Sequence, residues 1–255
     1  EGNDLSFNQV AKVIEGKKVF GAKRDIQEVV NYREVMAFLE NLVEQGENIY
    51  TKENLLTVHE KTVKGIVPDD QIGKFRKMQV TIRNTATDEV FFKPPPPVEV
   101  PYLIEDFFEW LSSDAGKQVH TILKSGITHY VLVAIHPFTE GNGRTARAVA
   151  TLILMNQGYN IKRLFALEEY FDRNAEEYYN SLQAVSMQKG EIADKDQTPW
   201  LEFYTEALAS ELKKIEEKVR QISSDISLKK KLGDKQIPIN ERQIKLVEYM
   251  REYGA

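Results

Sequence analysis

Apolar residues along this chain recur mostly at three- and four-residue steps, the period of a helix with one buried face. Phe7, Val10, Ala11 and Ile14 predict a short helix over 6–15. Beyond a loop bracketed by Gly16 and Gly21, Val29, Tyr32, Arg33, Met36, Leu39 and Val43 predict a longer one, ended by Gly46. Thr51 opens a third, with Leu55, Leu56 and Val58 inward, His59 alongside and Gly65 at the end. Val100 to Leu111 form a fourth, carrying Leu103, Phe107, Phe108 and Trp110. Val119, Ile122, Leu123, Gly126, Ile127, Tyr130, Val131 and Ala134 mark one face of the next, which also carries His120 and His129. Pro137 ends it, because proline disfavours helical geometry in the residue before it. Ala148 to Met155 is apolar nearly all round, the pattern of a buried helix. Tyr178 to Leu182 lie on a further helix, and Pro199 to Tyr204 begin a long amphipathic one running to about Ile226.

One segment has another period. Met78, Val80 and Ile82 alternate with Gln79, Thr81 and Arg83, the spacing of a strand. Asn84 to Asp88 read as a turn and Val90 to Phe92 as the return strand, stopped by Pro94 to Pro97 because proline cannot donate to a ladder. The fold class is therefore all-α with one small β-hairpin. A hairpin of this size is marginal alone and must lean on the helices.

Between the two most apolar helices lies His136-Pro137-Phe138-Thr139-Glu140-Gly141-Asn142-Gly143-Arg144-Thr145-Ala146-Arg147, where a base, an acid, glycines and two arginines are packed together. The glycines read as a tight loop feeding the N-terminus of a core helix, where free N–H groups and a partial positive charge bind anions. Arg144 and Arg147, in the expected first turn, oppose the helix macrodipole. Positions that break a local rule tend to be functional, and here they point to a bound polyanion. The glycines let phosphate oxygens approach the backbone. Glu140 supplies one carboxylate, and one or two carboxylates plus phosphate oxygens and water are the usual way to hold Mg²⁺. His136 can serve as a base near neutral pH.

This stretch resembles the signature of the Fic family, H-x-F-x-[D/E]-G-N-G-R-x-x-R, at every specified position. The resemblance implies a Fic-type helical bundle and transfer of AMP from ATP to a hydroxyl side chain of a target protein. His136 would take the hydroxyl proton and Glu140 would hold Mg²⁺. Gly141, Asn142 and Gly143 would line the phosphate site, with Arg144 and Arg147 on the β- and γ-phosphates. The phosphotransferase branch of the family carries a lysine where Gly143 stands, so its absence favours nucleotidyl transfer. Tyr178 and Tyr179 would lie near the adenosine end. The hairpin would be the flap that aligns a target peptide on its exposed edge, through Val80, Thr81 and Ile82. Gly73, Phe75 and Arg76 and the proline run belong to the same segment. Glu1-Gly2-Asn3 resembles the end of the family's inhibitory helix, with Glu1 expected to pair with Arg147. The expected division is an N-terminal helical region over 1–60, a Fic core over 61–205, and a long helix with the start of a winged-helix-like module over 206–255. In that last part, Asn240 and Gln243 have the form of a helix N-cap and its partner.

Composition narrows the setting. The 255 residues are 42% hydrophobic and 29% charged, and no apolar run is long enough to span a bilayer. The absence of cysteine excludes disulfides and thiolate metal sites and fits a cytoplasmic protein. A formal net charge of −5 argues against nucleic acid as the main partner. The expected partners are ATP and a protein bearing a Ser, Thr or Tyr hydroxyl, with self-modification and a homodimer as further expectations. Two other functions stay open here: removal of AMP from a modified protein, with Glu1 activating water, and a regulatory protein with a silent site. His59 and His129 are expected to pack, not to bind metal.

Overall fold

The structure is a computed structural model that describes residues 3, 5–46, 49–83, 90–159 and 165–232. Two compact units divide it, Glu1–Ala209 and Ser210–Ala255. In the first unit the helices are α1 (Phe7–Ile14), α2 (Lys23–Gln45), α3 (Lys52–Val63), α4 (Val100–Ser112), the short α5 (Asp114–Gln118), α6 (Thr121–Ile135), α7 (Asn142–Asn156), α8 (Phe165–Arg173) and α9 (Ala175–Ser186). A 3₁₀ turn over Ile192–Asp194 precedes α10 (Thr198–Leu232), which begins in the first unit and continues into the second.

The centre is the antiparallel pair α6 and α7, with α2, α3 and α4 packed around it. The all-apolar pattern of α7 has the expected consequence: Ala146, Ile153 and Leu154 are fully enclosed. Residues 200–208 close the other side of α6. Gly126 makes this approach possible, because a Cβ there would lie 2.8 Å from Leu201 and 2.9 Å from Tyr204. The contact is pinned by hydrogen bonds: Trp200 Nε1 donates to Gly126 O at 2.8 Å, and the Ser125 and Tyr204 hydroxyls are hydrogen-bonded at 2.7 Å. Burying Trp200 and Tyr204 is worth several kcal/mol by area, roughly 1.5–3 kcal/mol for each large side chain.

Helix boundaries follow local chemistry. Thr51 caps α3 by accepting from the Asn54 amide at 3.1 Å. His120 stands outside α6 as its N-cap, and the helix starts one residue later, at Thr121. The second unit holds the rest of α10, with Arg220 and Glu216 paired at 2.7 Å on its surface. The helix predicted beyond Asn240 lies outside the described residues.

The hairpin is shorter than the alternation predicts. β1 is Ile82–Arg83 and β2 is Val90–Phe92, antiparallel, with Ile82 opposite Phe92, Arg83 opposite Val90 and a bulge between. Met78 and Val80 are not in the ladder because side chains take their carbonyls: Arg76 Nη1 donates to Met78 O at 3.2 Å and Gln79 Nε2 to Val80 O at 3.0 Å. Gln79 also donates to Pro94 O at 2.9 Å, which ties the two legs of the hairpin together.

Candidate active site

The site is the loop between α6 and α7. Pro137 stops α6, and His136 turns out of it with φ 51° and ψ 59°, in the left-handed region. It is the one non-glycine residue with positive φ among the described residues, and strain of this kind collects at functional positions. Its Nδ1–H faces Val133 O at 3.3 Å and donates to it, which leaves the Nε2 lone pair as the proton acceptor. The imidazole pKa is lowered to about 4, chiefly by burial; the Val133 bond raises it and the nearby Arg76 charge lowers it. The ring is therefore neutral at pH 7.

Arg76 secures this corner from behind. Buried at 4% exposure, it donates through Nε to His136 O at 2.8 Å and through Nη2 to Pro95 O, with Ile135 O at 3.5 Å. Its own amide donates to Pro137 O at 2.9 Å. A cation against the last carbonyls of α6 is also favoured by the helix dipole. The sequence put Arg76 in the flap segment; its hold on His136 and on both hairpin legs appears only in three dimensions.

Phe138 and Asn142 lock the loop. The Phe138 amide donates to Asn142 Oδ1 at 2.8 Å and Asn142 Nδ2 donates back to Phe138 O at 2.9 Å. Both ends of the Asn142 side chain are thus spent on the loop itself, so its side chain shapes the loop. The Phe138 ring stacks on His59 of α3, with centroids 3.6 Å apart and planes 3° from parallel. His59 Nδ1 accepts from the Gly73 amide at 3.1 Å, so Nε2 carries the proton and donates to Glu140 O at 3.0 Å. Burial holds His59 neutral, with a pKa of about 4. The packed histidine expected at this position is therefore also a clamp on the loop. Gly141 is required twice over: φ is +82°, and a Cβ would meet Val63 Cγ1 at 2.5 Å.

α7 begins at Asn142, with no side chain capping its first turn. The leading amides are open to an anion. Arg144 is its third residue, but Arg147 is its sixth, in the second turn rather than the expected first. The dipole conflict therefore rests on Arg144. Its Nη1 donates to Glu28 Oε1 at 2.9 Å, and its Nη2 lies 3.5 Å from Glu140 Oε1. Arg24 Nη2 reaches the same Glu140 oxygen at 2.5 Å. Glu140 keeps 39% of its side chain exposed. One accessible carboxylate beside an open helix end fits Mg²⁺ held chiefly by substrate phosphates, and no group of three or more metal-ligating side chains occurs among the described residues.

The tyrosine pair splits. Tyr178 is buried, hydrogen-bonded to Arg147, with its hydroxyl pKa pushed up to about 12 by burial; Tyr179 is 48% exposed. Tyr178 belongs to an aromatic cluster with Phe171, Trp200 and His129, whose ring stacks on Trp200 at 4.7 Å. His129 is packed as expected, and burial lowers its pKa to about 3. In the hairpin region, Thr81 is exposed while Val80 and Ile82 are half-buried. Glu1, the expected inhibitory residue, lies outside the described residues. Asn3 does not: its Nδ2 donates to Asp25 O at 3.0 Å and toward Glu28 at 3.4 Å. Arg24 and Glu28 are what sequence reading missed. Their four-residue spacing announces a helix pair, but nothing in the chain links them to a loop 116 residues away.

A helical bundle whose central hairpin is joined by a base-bearing loop, ending at an uncapped helix N-terminus, is the class that fold and site define. Residues 49–154, which run from just ahead of α3 into α7 and include the loop, match the model of the Fic/DOC family. It is 32% identical over 162 residues to protein adenylyltransferase fic-1 of Caenorhabditis elegans, covering 62% of this chain and 30% of that one. It is 30% identical over 161 residues to protein adenylyltransferase Fic of Nematostella vectensis, covering 62% and 36%. The chain thus spans about a third of the length of these relatives. A Fic family protein from Desulfovibrio desulfuricans superposes with a TM-score of 0.66 at 32% identity, over 88% of this chain and 61% of that one. No described helix is long and apolar enough to cross a membrane.

Proposed function

We propose that the chain is a protein adenylyltransferase that transfers AMP from ATP to a hydroxyl of a target protein, its own hydroxyls included. The observation that carries this is the neutral His136 with its Nδ1 committed to Val133 O, beside the uncapped start of α7. The relatives named adenylyltransferases support the same reading.

The target hydroxyl oxygen attacks the α-phosphorus while its proton passes to His136 Nε2. The bond from the α-phosphorus to the bridging oxygen breaks, and pyrophosphate leaves. General-base help of this kind is worth roughly 10²–10⁴-fold. The open amides of Asn142 and Gly143 and the Arg144 and Arg147 guanidiniums take up charge on the phosphates. Glu140 would hold Mg²⁺, which when bound neutralises the phosphate oxygens. The sharp chain reversal at His136 and the Asn142–Phe138 bonds fix base and anion site relative to each other, so little reorganisation accompanies the reaction. Val80, Thr81 and Ile82 would align the target segment.

ATP labelled on the α-phosphate tests the reading. Label should pass to protein in the wild type and be lost in His136→Ala, with ATP binding retained. Label transfer by His136→Ala within a few-fold of wild type would remove His136 from the role of base. Autoinhibition is proposed on the Glu1-Gly2-Asn3 resemblance alone, and Glu1→Gly should then raise labelling. A cytoplasmic setting is proposed on the cysteine-free sequence.

A further inference from the structure

The charges at the loop form a closed ring that the sequence signature does not contain. Arg24 and Glu28 stand four residues apart on α2. Glu28 Oε1 lies 3.4 Å from Arg24 Nε and 2.9 Å from Arg144 Nη1. Glu140 Oε1 lies 2.5 Å from Arg24 Nη2 and 3.5 Å from Arg144 Nη2. Both arginines therefore address the same two carboxylate oxygens. Arg24 occupies, from the side of α2, the relation to Glu140 that Arg144 occupies from α7.

Three features separate Arg24 from a structural cation. Its side chain is 45% exposed, against 23% for Arg144, whereas Arg76, which is structural, is enclosed. Its guanidinium meets Glu140 at 2.5 Å, the carboxylate best placed for a cation that rides on the nucleotide. Of the two contacts to Glu28, that of Arg24 is the longer, so Glu28 restrains Arg144 more than Arg24. A triphosphate also carries more negative charge than two arginines neutralise. With Glu140 holding a cation, the Arg24 guanidinium would lose that carboxylate, and its planar fork is suited to bind phosphate oxygens in its place.

We propose that Arg24 is a third phosphate-binding arginine of this site, supplied by α2 and directed at the β- and γ-phosphates. The inference rests on the nucleotide reading above.

Isothermal titration of the full chain with ATP and with AMP, both in Mg²⁺, tests it on wild type, Arg24→Ala and Arg24→Lys. Arg24→Ala should weaken ATP binding about 5- to 20-fold, the low part of the charge-assisted range because the pair is half-exposed. AMP affinity and the thermal midpoint should not move. Arg24→Lys should recover part of the ATP affinity, a point charge replacing the fork. Unchanged ATP affinity in Arg24→Ala overturns the proposal. So does equal weakening of ATP and AMP, which marks a merely structural contact, and so does tighter ATP binding, which marks Arg24 as a competitor for Glu140. Failure of the wild type to bind ATP would instead overturn the nucleotide reading itself.

Discussion

Arg76 Nε donates to the backbone carbonyl of His136 across 2.8 Å, so the residue at the foot of the hairpin holds the candidate base from behind. The same guanidinium reaches Pro95 O and Met78 O, which makes hairpin and base one mechanical unit. Arg76→Leu should leave these buried carbonyls unpaired and destabilise the fold by about 2–4 kcal/mol. Arg76→Lys should not rescue it, lacking the fork. Urea denaturation gives the stability, and α-phosphate labelling at a temperature where the variant is folded gives the rate. Wild-type stability in Arg76→Leu would show the bonds to be incidental.

His59→Phe keeps a ring to stack on Phe138 but removes the bonds to Glu140 O and from Gly73 N. Two polar backbone groups are then left without partners, at about 1–3 kcal/mol each where water cannot replace them. We expect a loss in that range by denaturation, together with weaker ATP binding because Glu140 is no longer fixed. Full ATP affinity would show that the loop holds its shape without the clamp.

Gly141→Ala should be among the most damaging single-atom-group additions in the chain. Its Cβ would fall 2.5 Å from Val63 Cγ1, and φ of +82° is unfavourable for alanine. Strain of about 1 kcal/mol from φ and a similar or larger amount from the clash should add. The double variant Gly141→Ala with Val63→Ala should relieve the clash and not the φ strain. Thermal midpoints of four proteins, wild type, both single variants and the double, separate the two contributions.

Acid should act through the histidines. His59 and His136 titrate at about 4 and His129 at about 3 in the folded chain, below the ordinary 6.5. The unfolded chain therefore takes up protons first as pH falls. Stability from these groups is fully present above about 6.5 and is lost between there and about 4, or about 3 for His129, by up to about 1.4 kcal/mol per pH unit for each. His129→Phe should reduce the slope of stability against pH by about one proton. The labelling rate per folded molecule should stay level through pH 6.5, because His136 remains a neutral base there. An inflection near 6.5 in that corrected profile would contradict the depressed His136 pKa.

Ile82 pairs with Phe92 at the one ladder the hairpin has among the described residues. Ile82→Pro removes a donor from that ladder and should impair labelling of protein targets while sparing ATP affinity. Loss of ATP affinity would assign the segment to the nucleotide.

The chain by itself determined the helices, because each has an apolar face at the right period, and the candidate site, because His136 to Arg147 are contiguous. Contiguity makes a loop legible: Pro137 must end α6, and the apolar run after Gly143 must be a buried helix. Where the sequence misjudged, a side chain had intervened. Met78 and Val80 alternate like a strand, but Arg76 and Gln79 hold their carbonyls, so the ladder starts only at Ile82. A side chain also sets the loop's shape: Asn142, expected to line the phosphate site, gives both side-chain ends to Phe138 and leaves its backbone for that role. Only the tertiary structure could bring Arg24 and Glu28 to Glu140 and Arg144, or Tyr178 inward and Tyr179 outward. Packing decides those placements: α2 crosses α7 because both have faces to bury, and charges at the rim then meet partners that no local pattern names.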